Sequence, residues 1–391
     1  MPASPLAFQA VLADLDGRGL LRRRRSVRRL THDTAEIELD GRPCIDFCSN
    51  DYLGISAHPR VTEAFIAAAR EHGVGARASH LVSGHQAEHE ALEEELAAFT
   101  GRERALLFST GYMANLGLAT ALVRKRGTVL GDALNHASLI DAGRIARATL
   151  DWYPHGDAAA LEAKLVERAP GPALVLTDGV FSMDGDLAPL PALAAACRRR
   201  GALLAVDDAH GLGVLGAGGG GSLEHFGLGS RDVPALVGTL GKAFGSFGAF
   251  VAGDADLVET LVQRARTYIY TTALPAAVAA ATRAALAVSI AESWRRTRVI
   301  ALTRRFRLLA AEAGVPLADS STPIQPVPVG DPDAAVAASE RLLERGYFVA
   351  AIRPPTVPQG GSRLRVALSA AHRDADVEGL VVALADSLPR P

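Results

Sequence analysis

From Asp46 onward the chain alternates short apolar runs with longer stretches in which apolar residues return every three or four positions. The runs at Ala105–Ser109, Thr128–Gly131, Thr149–Tyr153, Ala173–Thr177, Leu203–Val206 and Ala235–Thr239 are four or five residues long and read as strands. Strands alternating with helices predict right-handed crossovers and a mostly parallel sheet covered on both faces. Such a sheet presents ligands at the carboxyl ends of its strands. Ahead of it the pattern predicts a helix near Leu6–Leu21 and a hairpin arm at Glu36–Gly41. Pro275 fits the first position of a helix running through Arg298. A smaller α+β lobe follows, with helices at Thr303–Ala313 and Ala334–Arg345 and strands at Ile324–Val329, Tyr347–Ile352 and Arg363–Ser369. The expected divisions are an N-terminal helix and arm over 1–45, a large domain over 46–290 and a small one over 291–391.

With 391 residues, 49% hydrophobic and 21% charged, the chain has the makeup of a compact enzyme. A net charge of −2 argues against a nucleic-acid binder. Arg22–Arg25, with Arg28 and Arg29, forms one local basic cluster that suits either a solvated helix end or an anionic substrate. Cys44, Cys48 and Cys197 form no CxxC pair and suit a reducing cytoplasm. No metal ligand set is expected. Met1–Leu6 carries no export signal, and the apolar stretch Ala273–Ile290 is broken by Arg283, so it reads as a packed helix and no membrane partner is expected.

The chemistry concentrates in Gly238–Gly245, which contains Lys242, and in Ala205–Gly211, which contains Asp207 and His210. Lys242 has glycine and apolar neighbours and no adjacent acid, which makes its neutral amine accessible for a Schiff base. Asp207 ends an apolar strand. A lysine for an aldehyde and a carboxylate for a ring nitrogen are the pair that pyridoxal 5'-phosphate (PLP) requires. Gly241-Lys242 fails as a nucleotide phosphate loop because Leu236 and Ala243 occupy the flanking positions. Gly211–Gly216 matches GxGxxG but runs into Ala217–Ser222 instead of a helix, so it reads as a mobile loop. Thr110-Gly111-Tyr112 leads from a strand into an apolar helix, whose N-terminus would receive a phosphate, and Thr239 offers a hydroxyl to the same anion. His136 follows the Val129–Asp132 strand end and is placed to cover a ring face. His210 would reach the ring's phenolic oxygen or act as an acid, and Ser182 supplies another hydroxyl. Arg363 and Arg365 share one face of a strand, and either would bind a substrate carboxylate.

Thr177–Asp186, Val206–Gly211 and Thr239–Lys242 together resemble the α-oxoamine synthases, from Ser49–Gly54 through Ser369–His372. The resemblance implies a fold-type-I PLP enzyme, α/β with a large mostly parallel sheet domain and a smaller C-terminal α+β lobe, that joins an amino acid to an acyl thioester with loss of carbon dioxide. Ala351–Pro358 and Arg363–Arg365 look most like the members that use L-alanine and a pimeloyl thioester, carried on coenzyme A or a carrier protein; the alternatives are a sister synthase using glycine or serine with another acyl-CoA and a non-catalytic PLP-binding protein. Residue by residue, it implies that Lys242 holds the cofactor, with His136 and His210 as further catalytic groups. Gly111, Tyr112, Ser182, Asp207 and Thr239 would bind the cofactor, while Arg22, Thr356 and Arg365 would bind substrate. It also implies a cytoplasmic homodimer, with Tyr270–Thr272 reaching the partner's phosphate. Asp178 stands where many relatives have Glu, and His80 lies in a substrate-side loop, Ala76–Ser83, that varies between subfamilies; neither is expected to touch the cofactor motifs, and both bear on acyl preference.

Overall fold

The computed structural model describes residues 8–18, 20–22, 24–123 and 127–388. Leu6, the expected start of the first helix, the Met1–Leu6 segment and Arg23 of the basic cluster lie outside them. The chain forms two compact units, one from Met1–Ser49, Met183–Gly185 and Val299–Pro391 and the other from Asn50–Ser182 and Asp186–Arg298. The smaller unit opens with a helix at Phe8–Gly17 and an antiparallel meander of β1 (Val27–Arg29), β2 (Glu36–Leu39) and β3 (Arg42–Asp46).

The larger unit carries seven strands: β4 (Arg104–Phe108), β5 (Thr128–Asp132), β6 (Thr149–Tyr153), β7 (Ala173–Asp178), β8 (Leu203–Asp207), β9 (Ala235–Thr239) and β10 (Ala249–Gly253). Their order is β4-β10-β9-β8-β7-β5-β6. Pairs among β5 to β9 are parallel, and β10 runs antiparallel to both β4 and β9. Six of the seven strands are legible as apolar runs. The seventh, β10, escapes the pattern because it returns directly from β9 through a turn, without the helix that marks the other crossovers.

Continuous apolar strands are explained by burial on both faces. Leu174 and Leu176 of β7 join one core with Val129, Ala205, Val237 and Val251. Ala173 and Val175 of the same strand join the other, with Leu130, Leu204, Val206 and Leu236. Each fully buried Val or Leu contributes about 1.5–3 kcal/mol. The sheet is close-packed at Gly238, where an added Cβ would come within 2.5 Å of Leu212 and Phe250.

The expected mobile loop at Gly211–Gly216 is instead folded into the core, with Leu212 and Val214 buried. Carboxylates hold it. Asp208 accepts from Ser222 N at 2.7 Å, and Glu224 accepts from the amides of Gly218 and Gly220 at 2.8 and 2.7 Å. Gly221 sits at φ 83° with its Cβ position 1.9 Å from an Asp208 oxygen, so only glycine fits there. The long helix opened by Pro275 also differs: it stops at Ala291 and a second begins at Trp294. At the break Glu292 leaves helical geometry, with φ −103° and ψ 53°, and its carboxylate bonds His58 at 3.2 Å and Arg295 at 2.8 Å.

In the smaller unit, β11 (Ile324–Gly330), β12 (Tyr347–Phe348), β13 (Ala350–Ile352) and β14 (Ser362–Ala367) complete the strands. The single strand expected at Tyr347–Ile352 is split at Val349. Its first half pairs in parallel with β3, and its second joins an antiparallel β11-β14-β13 sheet. The β3–β12 pairing draws the N-terminal arm and the C-terminal lobe into one unit. Among the described residues, no single helix is long and apolar enough to cross a membrane.

Candidate active site

Acidic residues end β5, β7 and β8, and one polar network fixes the last two. Asp207, buried at the tip of β8, accepts from Asn115 Nδ2 at 2.6 Å and from the Ala209 amide at 3.1 Å. Asn115 comes from the helix Gly111–Leu122 and also donates to Ser138 Oγ at 2.9 Å. Ser138 Oγ lies 2.7 Å from His136 Nδ1, and the His136 amide donates to Asp178 at 2.7 Å. Asp178 therefore does touch a cofactor motif, against expectation: it fixes the backbone of His136 from the neighbouring strand end. Burial first, then the negative charge of Asp207, holds the Asp178 carboxyl well above the usual range. Burial also lowers the His136 imidazole; Asp207 opposes that shift and Lys242 reinforces it. Lys242 and Asp207 thus act electrostatically on the same ring.

Lys242 Nζ lies 2.8 Å from His210 Nε2, and His210 Nδ1 lies 2.7 Å from the hydroxyl of the fully buried Tyr52. The Tyr52 hydroxyl in turn donates to Asn50 Oδ1 at 3.2 Å, so Lys242, His210, Tyr52 and Asn50 form one continuous polar relay. This relay fixes the lysine tip from behind. His155 performs a similar bridging role between strand ends, with Asp132 at 3.0 Å and Asp186 at 2.9 Å. Those two carboxylates raise its pKa to about 10.

At the N-terminus of the helix Gly111–Leu122, Thr110 caps the amide of Met113 at 3.2 Å. The amides of Gly111 and Tyr112 belong to the first turn, which has no intrahelical partner for them. An ideal Cβ on Gly111 meets nothing within 4 Å, so these amides front open space. Thr239 Oγ1 donates to the Gly248 carbonyl at 3.2 Å and accepts the Gly241 amide at 3.4 Å. The Tyr112 hydroxyl donates to Asp141, which leaves its backbone as the group available to an anion. Ser182 is half-buried in the turn after β7.

These residues fit PLP. Two donors hold Asp207, yet a carboxylate has about four lone-pair sites and keeps capacity for a protonated ring nitrogen. The Gly111 helix end offers first-turn amides for a phosphate with open space at the Gly111 Cβ position, and Lys242 offers an amine held by His210.

Arg22, Thr356 and Arg365 belong to the smaller unit. Arg22 and Thr356 are exposed. Arg365 is 7% exposed on β14, opposite Pro326 and Ala350. Arg363 is engaged by the Asp184 carboxylate and donates to the Gly361 carbonyl at 2.9 Å. The pattern gave no sign of Tyr52, which lies 158 residues from His210. Asn115 had a signal: an amide inside the apolar run Met113–Leu122 needs a buried partner.

The family described as aminotransferase class I and II matches residues 42–384. An 8-amino-7-oxononanoate synthase of Methylococcus capsulatus is 58% identical over 97% of this chain and 98% of its own length. Among solved structures, a serine palmitoyltransferase variant from S. paucimobilis with bound PLP and myriocin superposes with a TM-score of 0.91 at 29% identity, covering 98% of this chain and 96% of that one. An 8-amino-7-oxononanoate synthase from Francisella tularensis superposes with a TM-score of 0.77 at 29% identity, covering 88% and 97%.

Proposed function

Since the chain belongs to the class I and II aminotransferase family, in its α-oxoamine synthase branch, we propose that it is a PLP-dependent acyltransferase condensing L-alanine with a pimeloyl thioester, with loss of carbon dioxide, to give 8-amino-7-oxononanoate. The observation that carries this reading is the convergence of Lys242 and Asp207 on His136, with His210 locking the lysine tip at 2.8 Å.

When bound, PLP supplies an electron sink for negative charge at the amino acid's α-carbon. Asp207, fixed by Asn115, holds the ring nitrogen's proton. Lys242 Nζ would hold the cofactor's aldehyde carbon, and its amine would serve as the base at the amino acid's α-carbon. His210 and Tyr52 orient that amine. Burial disfavours the His136 cation, and the uncharged ring would cover one face of the cofactor. The Gly111 and Tyr112 amides and the Thr239 hydroxyl bind the phosphate. Arg365, its guanidinium preorganised by burial on β14, grips the alanine carboxylate through two parallel bonds, and Arg22 meets the anionic acyl substrate. A second copy completes the enzyme: Val74, Val82 and Tyr270 are exposed by 88%, 79% and 70%, an apolar set suited to a homodimer interface.

The test measures thiol release with alanine, glycine and serine against pimeloyl and acetyl thioesters. Turnover is expected with alanine and the pimeloyl thioester. A response to glycine alone would overturn the proposal, as would a hydride-reducible cofactor absorbance that survives Lys242→Ala.

A further inference from the structure

Three histidines that the proposed chemistry leaves unused meet where the segment His80–Gly84 leads into the helix Ala87–Thr100. One nitrogen from each of His80, His85 and His89 lies within 4.8 Å of the others. The Nδ1 atoms of His80 and His85 are 2.9 Å apart, so a single proton sits between two ring nitrogens. Tyr268 stacks on His80 at 5.0 Å and 15°, fixing its plane. His89 is fully buried, and its Nε2 lies 2.7 Å from the Leu274 carbonyl. That contact puts the proton on Nε2 and the lone pair on Nδ1, the arrangement in which metal-bound histidines are held by an outer backbone acceptor. At present this lone pair accepts the Gln86 amide at 2.9 Å.

The surroundings favour a cation. A cavity of about 350 Å³ is lined by His85 and by Glu90, Glu93, Glu94 and Glu103, with Arg104 the one opposing charge.

We propose that His80, His85 and His89 bind one divalent transition-metal ion of the zinc, cobalt or nickel kind, reached through the carboxylate-lined cavity beside His85. Three neutral nitrogen donors select such ions over magnesium or calcium, which demand oxygen. The ion replaces the proton shared by His80 and His85 and takes the lone pair of His89, whose amide donor Gln86 turns to solvent. Metal–nitrogen bonds of about 2.0–2.1 Å require the 2.9 Å contact of His80 and His85 to open slightly and His89, whose nitrogen lies within 4.8 Å of both, to draw inward. The site ties the His80–Gly84 segment to the start of the helix Ala87–Thr100 and, through Leu274, to the helix that begins at Ala276. It uses none of the residues assigned to PLP or substrate.

The full-length, PLP-loaded protein is stripped with a chelator, dialysed and titrated calorimetrically with Zn²⁺, with Mg²⁺ as the contrast and Co²⁺ absorbance as a report of nitrogen ligation. One Zn²⁺ per chain, tetrahedral Co²⁺ bands and no Mg²⁺ uptake are expected. His85→Gln, at an exposed position outside the active site, should weaken Zn²⁺ binding at least ~10-fold with synthase activity unchanged. Absence of saturable Zn²⁺ uptake overturns the proposal. Uptake that His85→Gln leaves undiminished places the ion elsewhere and overturns it equally.

Discussion

Replacing Asn115 with alanine probes the support of Asp207 without touching Asp207 itself. The side chain is 1% exposed and donates to Asp207 at 2.6 Å and to Ser138 at 2.9 Å. A hydrogen bond to a charged acceptor is worth about 1.5–3 kcal/mol and a neutral one about 1. Asn115 Oδ1 is buried with no partner, so alanine also removes an unsatisfied acceptor and recovers part of that loss. The net cost is about 2 kcal/mol, or roughly 30-fold in an equilibrium constant. Because the lost bond orients the carboxylate that would hold the ring nitrogen, the cost should fall on cofactor retention. Titration of the stripped variant with PLP, followed by absorbance, should give a Kd raised about 10- to 30-fold. Asn115→Asp is the informative contrast. It preserves shape but places a second carboxylate against Asp207, so its PLP affinity should be lower than that of the alanine variant at pH 8 and recover on acidification, when one of the two acids takes up a proton. A folded Asn115→Ala protein with PLP affinity within twofold of the parent would refute the reasoning, since Asp207 would then need no orientation from this helix.

The His155 bridge sets a pH dependence: its folded pKa of about 10 lies above the unfolded value, so its stabilisation is full below about pH 6.5 and is lost as pH rises through 10. Denaturant melts should show His155→Gln less stable by about 2 kcal/mol at pH 7, allowing for screening of a 30%-exposed ring, with the two curves converging near pH 10. Asp208 behaves as a buried acid with its pKa raised to about 7, so it withdraws stability as pH climbs from about 4 to 7. Asp208→Asn should flatten that slope and hold its melting temperature at pH 8; a steeper loss in the variant would contradict the assignment. Gly238→Ala should lower stability by about 1–3 kcal/mol through overpacking against Leu212 and Phe250, read as a lower Tm with a normal far-UV spectrum.

Local order along the chain was enough to reveal the sheet, because strands buried on both faces must be apolar throughout, and β5 to β9 are. It was also enough to pick out Lys242, Asp207 and His210, since each stands at or just beyond a strand end within a short motif. The smaller lobe was legible as alternating helix and strand for the same reason. What the sequence could not determine is which distant groups satisfy one another. Asn115 reaches Asp207 from one helix and is itself met by Ser138 from another, Asp178 reaches the His136 backbone across a strand pair, and Tyr52 supports His210 from the far side of the chain. Periodicity also gave Arg363 and Arg365 equal standing; only the fold pairs Arg363 with Asp184. The same limit explains the glycine-rich segment after β8, whose composition suggests freedom but whose amides are held by Asp208 and Glu224. A buried polar group must find its partner wherever the fold brings one, and that pairing is a property of three-dimensional proximity.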